Sequence, residues 1–155
     1  HSDLILVSSM GRLLRLPVND SVLPKMGRLA QGPMTMRLLP GEELVGSLSI
    51  DVAETDPTLL LVSRKGQMTR IDLTPLRRCQ RGDLGIMAVV LSADEDSVAG
   101  LCSGDSLAGI VTDQKRHGRL DAGAVESTAV GQSWGDQLDL NSKEQVVSVV
   151  ALKTS

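Results

Sequence analysis

The sequence predicts an all-β, propeller-like fold built from three blades of about 50 residues each. Three observations lead to this fold class. A unit of that length occurs three times along the 155 residues. Each unit contains short runs rich in Leu, Val, Ile and Thr that are bounded by Gly, Pro, Asn, Asp or Ser, as β-strands are. No segment carries an apolar stripe with helical spacing over more than about two turns.

The first repeat, residues 3–55, opens with a predicted β-hairpin at residues 4–16. Its turn ends at Gly11, because glycine readily adopts the positive φ that tight hairpin turns need. Gly32 precedes a proline and is expected to mark a bulge or a close approach of two backbones. Four short strands in a unit of this length are typical of one propeller blade.

The second repeat, residues 56–105, copies this pattern. Residues 59–71 match the first hairpin, so that Gly66 lies 55 positions after Gly11. The second half of the repeat matches the first at an offset of 53 residues. That offset gives Gly85 the same expected role as the glycine before the proline in the first repeat.

The third repeat, residues 106–155, is a weaker copy. Residues 110–112 align with the corresponding apolar run of the second repeat at an offset of 49, and Gly131 is assigned to the position of Gly85. Lys115 replaces the turn glycine, so we expect a remodelled hairpin turn. A blade buries its faces only against neighbouring blades, and three blades do not close a ring, since propellers typically have four to eight.

The composition excludes several functions. The chain has no Phe, no Tyr and a single Trp, so it offers few aromatic rings for stacking single-stranded nucleic acid and no tyrosine nucleophile for cutting DNA. It contains no glycine-rich phosphate loop and no Ser/His/Asp set. Cys79 and Cys102 form no CxxC pair. We therefore expect a chain that is not an enzyme and that uses no cofactor and no metal.

Charge alternates along each repeat, which is basic in its first part and acidic in its second. Residues 10–37 hold five cations against one acid, and residues 41–56 hold five acids and no cation. Residues 57–91 hold six cations against two acids, and residues 92–106 hold four acids and no cation. Stacked repeats would present one basic stripe and one acidic stripe. A basic stripe can track the phosphates of DNA without reading its bases.

Three segments of the first repeat, residues 4–16, 27–32 and 42–46, resemble the repeat of the C-terminal domain of gyrase A and its topoisomerase IV equivalent. The resemblance continues over residues 59–99 and, less closely, over residues 107–150. It implies a β-pinwheel, a propeller-like ring of usually six four-stranded blades that exchange strands. Duplex DNA wraps around the basic outer rim of such a ring. The chain is then half of a ring.

Residues 80–85, Gln-Arg-Gly-Asp-Leu-Gly, are a degraded form of the Gln-Arg-Arg-Gly-Gly-Lys-Gly box that gyrases carry. Whether the parent resembles a gyrase or a topoisomerase IV therefore stays open. The resemblance implies double-stranded DNA, the remaining blades and the catalytic core of a parent topoisomerase as partners, with no membrane. It also implies a place in the bacterial cytoplasm, at the nucleoid, and a non-catalytic role in presenting DNA for strand passage during supercoiling.

Fourteen basic residues in the basic parts of the repeats are candidate DNA contacts. They are Arg12, Arg15, Lys25, Arg28, Arg37, Arg64, Lys65, Arg70, Arg77, Arg78, Arg81, Lys115, Arg116 and Arg119. Arg15, Arg70 and Arg119 share one position in the repeat, and either an outward orientation towards DNA or an ion pair between blades fits that position.

Two alternatives remain at this stage. The net charge of −3 and a pI near 5.3 favour charges that form local ion pairs on a solvated surface. The other alternative is a protein-interaction propeller without DNA affinity, including a homodimer whose two copies complete six blades. Protein docking of that kind predicts contacts that depend weakly on salt, whereas phosphate binding predicts a steep dependence.

Overall fold

The computed structural model describes residues 2–18, 36–91, 95–128, 131, 134 and 136–152. In these residues the chain forms twelve β-strands and a short 3-10 turn at Ala122–Ala124. The strands are β1 (Ser2–Ser8), β2 (Arg12–Pro17), β3 (Leu44–Asp51), β4 (Thr58–Ser63), β5 (Gln67–Asp72), β6 (Ile86–Met87), β7 (Val98–Ser103), β8 (Leu107–Thr112), β9 (His117–Asp121), β10 (Ser127–Thr128), β11 (Asp136–Gln137) and β12 (Val146–Leu152). The prediction of an all-β chain is confirmed. Three positions singled out in the sequence, Lys25, Arg28 and Gly32, lie outside the described residues.

Each repeat forms an antiparallel sheet of three strands. Blade 1 has the order β3-β1-β2, blade 2 the order β7-β4-β5 and blade 3 the order β12-β8-β9. The first two strands of each blade are the hairpin that the sequence predicts, and the third strand pairs with the first. A register shift, typical of a β-bulge, falls at the same place in all three blades.

Neighbouring blades exchange strands. β6 belongs to the second repeat but pairs with β2 of blade 1, and β10 and β11 belong to the third repeat but both pair with β5 of blade 2. The second and third repeats therefore each complete the outer edge of the preceding blade. Blade 1 has four strands, as expected, while blade 2 has five because two short segments take the place of one. Blade 3 has three strands within the described part of the chain.

Blade 2 is buried on both faces. Leu59 and Leu61 of β4 lie in one apolar cluster with blade 1, and Leu60 and Val62 lie in another with blade 3. All four are fully buried. Because successive side chains of a strand point to opposite faces, a strand between two blades must be apolar at every position. The unbroken run of residues 59–62 is the sequence signal for this central blade.

The hairpin turns follow one geometry in all three blades. The backbone N–H groups of Gly11, Gly66 and Lys115 donate to the carbonyl three residues earlier over 3.1, 3.0 and 3.1 Å. Their φ angles are +87°, +88° and +61°. The prediction of a remodelled third turn is therefore wrong. A lysine takes the left-handed conformation instead, at a cost of about 1 kcal/mol relative to glycine.

The two other glycines behave differently. Gly85 has a φ of +78° and lies so close to the backbone carbonyl of Leu13 that no β-carbon fits, which confirms the predicted close approach. Strand pairing places Ile86 opposite Leu13 and Asp136 opposite Met68, an offset of 50 residues. At that offset Gly131 corresponds to Arg81 and not to Gly85, so the alignment of Gly131 is wrong by four residues.

Candidate nucleic-acid interface

A buried carboxylate holds the hairpin turn of blade 1. The side chain of Glu42 is fully buried and accepts hydrogen bonds from Ser8 Oγ at 2.6 Å, Arg12 Nε at 2.9 Å and the backbone N–H of Leu39 at 2.8 Å. A second ion-pair contact joins Arg12 Nη2 to Glu42 Oε1. Burial by itself would raise the pKa of Glu42, but the hydrogen bonds from Arg12 and Ser8 outweigh it and lower the pKa to about 2.

Arg12 is therefore unsuited to contacting DNA. It is 6% exposed, and its remaining donors bond to the carbonyls of Leu84 at 2.7 Å and Arg37 at 3.1 Å. Arg12, one of the fourteen candidate DNA contacts, is instead held inside the protein, because the buried Glu42 needs a positive partner there.

The same arrangement recurs in blade 3. Thr112 Oγ1 donates to Glu144 Oε2 at 2.5 Å, Arg116 Nη1 bonds to Glu144 Oε1 at 3.0 Å, and the N–H of Asn141 donates to Oε1 at 2.9 Å. The hydrogen bond from Thr112 is the main reason that the pKa of Glu144 is lowered. Arg116 differs from its counterpart in blade 1, because about half of its side chain remains exposed.

Blade 2 has a variant of this network. Asp96 takes the acid position and accepts the backbone N–H groups of Lys65 at 3.1 Å and Ser97 at 2.8 Å, while Gln67 stands where the other blades have arginine. Asp96 Oδ2 is buried and has no hydrogen-bond partner in the described part of the chain. Sequence analysis missed this repeated acid. The sequence does contain a signal for it, because each repeat has an acid at the equivalent position, 42, 96 or 144. The charge pattern alone would place these acids in the acidic stripe and not in the interior.

A second buried acid, Asp3, links blade 1 to the repeat that follows. Asp3 Oδ2 accepts Arg15 Nε at 2.7 Å and Arg78 Nε at 2.8 Å, and Arg15 Nη1 also reaches the carbonyl of Leu76 at 3.2 Å. Burial raises the pKa of Asp3, yet the bonds from Arg78 and Arg15 leave the pKa below its ordinary value. Arg15 therefore matches neither of the two orientations left open for it: its ion pair with Asp3 lies within blade 1, and its contacts with the second repeat are hydrogen bonds to backbone carbonyls.

The repeat position of Arg15 has a different environment in the other blades. In blade 2 the position of Asp3 is occupied by Thr58. The two positions are equivalent, because Thr58 pairs with Asp72 across its hairpin as Asp3 pairs with Pro17. Arg70 Nε is accordingly buried without a hydrogen-bond partner among the described residues. Arg119 of blade 3 is exposed on β9.

Several basic side chains are exposed and carry no ion pair in the described residues. Among the fourteen candidates they are Arg37, Arg64, Lys65, Arg77, Lys115 and Arg119. Arg78 is also largely exposed but is bound to Asp3. Arg81 is half-buried. The described candidates therefore include arginines bound to buried acids and cations that face solvent without an ion pair.

Most of the unpaired cations lie at one end of the blades, which we call the turn rim and which comprises the β1–β2, β4–β5 and β8–β9 turns. Arg64 and Lys65 form the second turn and Lys115 ends the third. Arg37 lies beside the first turn, because its carbonyl accepts Arg12 Nη2. The turns are neighbours, since Val98 of the second repeat donates to the carbonyl of Ser9 at 2.8 Å. The turn rim therefore has unpaired cations in each blade.

Within the described ranges, no group of three or more His, Cys, Asp or Glu side chains is arranged to hold a metal ion. In the same residues, no helix has the length and hydropathy to cross a membrane. Repeated sheets that share cores and donate strands to one another define a strand-exchanging, propeller-like repeat protein with several exposed cations at its hairpin turns.

The comparisons with known proteins assign the family. The profile described as "DNA gyrase C-terminal domain, beta-propeller" matches residues 2–51 and 57–101, and the chain belongs to this family. The chain is 34% identical over 88 residues to the A subunit of DNA gyrase from Pseudomonas aeruginosa, covering 57% of this chain and 9% of that protein. It is 27% identical over 158 residues to the A subunit of DNA topoisomerase 4 from Synechocystis, covering 96% of this chain and 17% of that protein.

Solved structures show the same fold. The C-terminal domain of DNA topoisomerase IV superimposes with a TM-score of 0.69 at 19% identity, covering 99% of this chain and 48% of that one. A DNA gyrase A C-terminal domain gives a TM-score of 0.55 at 14% identity, covering 96% and 64%. This chain thus spans less than a fifth of the curated relatives it matches and about half of the first of these domains.

Proposed function

We propose that the chain binds duplex DNA without sequence preference, through phosphate contacts along the turn rim. The observation that carries the proposal is the unpaired charge of Arg64, Lys65 and Lys115 at adjacent turns, together with Arg37 beside the first turn. Guanidinium and ammonium groups without a protein counter-ion are the groups that gain from replacing the counterions of DNA. Arg77 and Arg119 extend the candidate surface beyond the rim.

The family supports this proposal. It is the DNA-wrapping, non-catalytic domain of type IIA topoisomerases. We infer that the chain works beside the catalytic core of a parent topoisomerase, in the bacterial cytoplasm at the nucleoid, and presents a DNA segment for strand passage. Lys25, Arg28 and Arg81 remain candidate contacts, and the division into repeats at residues 3–55, 56–105 and 106–155 remains our proposal.

Titration of the protein into a labelled duplex of about forty base pairs tests this function. If about five phosphates are contacted, the slope of log affinity against log salt is about −4 to −5. Affinity then falls by roughly 500-fold between about 50 and 200 mM salt. Equal affinity for unrelated sequences is expected, because phosphates carry no sequence information. No binding at the lowest salt, with a folded protein, would contradict the proposal.

A second candidate function is the docking of a protein surface. It is favoured by Leu44 of blade 1, which is 46% exposed although its counterparts in the other blades are buried. A second copy of the chain, completing six blades, is the simplest partner of this kind. Docking of that kind gives a complex whose mass changes little with salt and that forms without DNA, so light scattering in salt-free and high-salt buffer separates it from the first candidate.

A further inference from the structure

The junction between blades 1 and 2 contains a buried carboxylate that two arginines share. Asp3 Oδ2 accepts Arg15 Nε at 2.7 Å and Arg78 Nε at 2.8 Å. Arg15 Nη1 also donates to the carbonyl of Leu76 at 3.2 Å. At this junction an acid of the chain itself, and not solvent, satisfies the inward-facing nitrogen of each guanidinium.

The junction between blades 2 and 3 repeats this backbone arrangement with different side chains. Arg70 and Ser127 pair in parallel, as Arg15 and Arg78 do, so Ser127 has the position of Arg78. Thr58 has the position of the shared acid. Two charged residues of the first junction are thus replaced by residues that carry hydroxyl groups.

Arg70 consequently lacks the counter-ion of its counterpart. Its Nε is buried without a hydrogen-bond partner, and its guanidinium forms no ion pair with the described residues. Two exposed acids lie nearby along the strands, but Asp72 Oδ1 accepts the N–H of Thr74 at 2.9 Å, and Glu126 offers Arg70 only its backbone carbonyl at 3.3 Å. A buried, charged donor without an acceptor is unfavourable, so an anion bound at this place would stabilise the protein.

The side chains around Arg70 suit a tetrahedral oxyanion. A guanidinium can bond two oxygens of a phosphate at once. The hydroxyl groups of Thr58 and Ser127 can each donate to a further oxygen. The place is open to solvent, because Thr58 and Arg70 are half-buried and Ser127 is exposed. In the first junction the carboxylate of Asp3 fills the equivalent place, so the shared backbone arrangement accommodates an anionic group there.

We propose that the junction between blades 2 and 3 binds a phosphate group, with Arg70 as the charged ligand and Thr58 and Ser127 as hydroxyl donors. Free phosphate and a backbone phosphate of DNA present the same oxygens to such a site. The site lies at the end of the hairpin away from its turn, because Thr58 begins β4 and pairs with the last residue of β5. It is therefore separate from the DNA contacts proposed at the turn rim and does not depend on them.

Titration of isotope-labelled protein with sodium phosphate, followed by NMR, tests the proposal. The signal to follow is the Nε–H resonance of Arg70, identified by its absence in Arg70→Gln. It is expected to shift and to reach half-saturation at about 1 to 10 mM phosphate, since a few bonds in a half-open site give an affinity of millimolar order. The Nε–H of Arg15, already bonded to Asp3, is the internal control and is expected to stay in place.

Sodium chloride at the same ionic strength is the reference for this titration. A shift at Arg70 that saturates with phosphate and is absent with chloride supports the site. The proposal is overturned if phosphate leaves the Arg70 resonance in place, or if chloride shifts it equally, because charge screening would then explain the change.

Two substitutions at one position separate charge from shape. Thr58→Asp rebuilds the acid of the first junction and is expected to abolish the phosphate-dependent shift, because the new carboxylate occupies the site. Thr58→Val keeps the shape and removes the hydroxyl, and it is expected to weaken phosphate binding by about fivefold, the effect of one lost hydrogen bond. Circular dichroism checks that both variants fold. A folded Thr58→Asp variant with the wild-type affinity for phosphate would sink the proposal.

Duplex DNA, added in chloride buffer without free phosphate, distinguishes the two sources. If a DNA phosphate occupies the site, DNA shifts the Arg70 resonance and raises the phosphate concentration needed for half-saturation. If DNA binds elsewhere, the resonance stays in place and the site takes free phosphate. A protein that binds no DNA contradicts the function proposed above, whereas the phosphate titration still decides whether this site exists.

Discussion

Glu42 is charged although water does not reach its side chain. The bonds from Ser8, Arg12 and the N–H of Leu39 replace the lost hydration. A buried ion pair of this kind adds little stability relative to an apolar pair, but loss of one partner leaves the other charge buried and alone. Glu42 and Arg12 are therefore positions where substitution affects folding before it affects any ligand.

We expect Glu42→Gln to lower the free energy of unfolding at pH 7 by about 3 kcal/mol, because Arg12 loses its buried counter-ion. Urea denaturation followed by circular dichroism measures the change. Glu54→Gln, at an exposed residue, serves as the matched control and is expected to change stability by less than about 0.5 kcal/mol. Equal effects of the two substitutions would contradict the assigned role of Glu42.

The same carboxylate predicts a dependence of stability on pH. Its pKa is about 2 in the folded protein and 4.5 without these interactions. A carboxyl whose pKa is lowered by folding stabilises the folded state above its unfolded pKa, and that stability is lost as pH falls through the folded pKa. The urea midpoint is therefore expected to fall between pH 4.5 and 2, and to fall less in Glu42→Gln than in the wild-type chain. Parallel pH profiles for both would refute this account.

The repeated elements show how far local sequence determines structure. Strand runs and the turns at Gly11 and Gly66 are predicted correctly, because alternation and glycine act through the nearest residues. The donated strand β6 is only two residues long and pairs with β2 of another repeat. The local sequence therefore contains no pattern that predicts it. The prediction for the third turn is wrong because Lys115 adopts the positive φ and the backbone hydrogen bond that glycine has in the other two turns.

The interface between blades 2 and 3 makes a prediction at this scale. Gly66→Ala is expected to lower the free energy of unfolding by about 2 to 4 kcal/mol, because the new methyl group adds a close contact with Leu140 to the strain of a positive φ. Gly82→Ala isolates the strain, since Gly82 has a φ of +90° with nothing within 4 Å, and is expected to cost about 1 to 2 kcal/mol. Thermal denaturation of both variants measures the difference, and a larger loss for Gly82→Ala would contradict the packing role of Gly66.

Across the whole molecule, charge in the sequence did not distinguish buried from exposed residues. Asp3, Glu42 and Glu144 are buried acids that neutralise arginines within the blades, and the charge pattern along the chain gave no sign of these pairs. The candidate DNA surface is therefore smaller than the set of fourteen basic residues. Burial of a charged residue depends on which distant residues the fold brings next to it. The charge pattern along a single sequence does not show those contacts.

This division of the basic residues has a measurable consequence for DNA binding. Replacing Arg64 and Lys65 together by glutamine is expected to make the salt slope less steep by about 1.8, which is about 0.9 for each phosphate that is no longer bound. Arg78→Gln is the control, because Arg78 is 55% exposed but bound to Asp3, and it is expected to leave the slope unchanged. A fluorescence anisotropy titration at several salt concentrations measures the three slopes. An equal decrease for Arg78→Gln would show that exposure alone decides DNA contact.

The donation of outer strands in one direction bears on how such a chain lengthens by tandem duplication. The repeat that a gene duplication copies does not have the same boundaries as the folded sheet, because β6, β10 and β11 each belong to one repeat and pair in the sheet of the preceding one. A repeat added at the carboxyl side supplies the outer strand of the sheet before it. Its own sheet then lacks an outer strand. An array of any length built in this way therefore has one sheet without its outer strand, the last. If an internal repeat is deleted, the repeat after it supplies the outer strand of the repeat before it, so no further sheet is left incomplete.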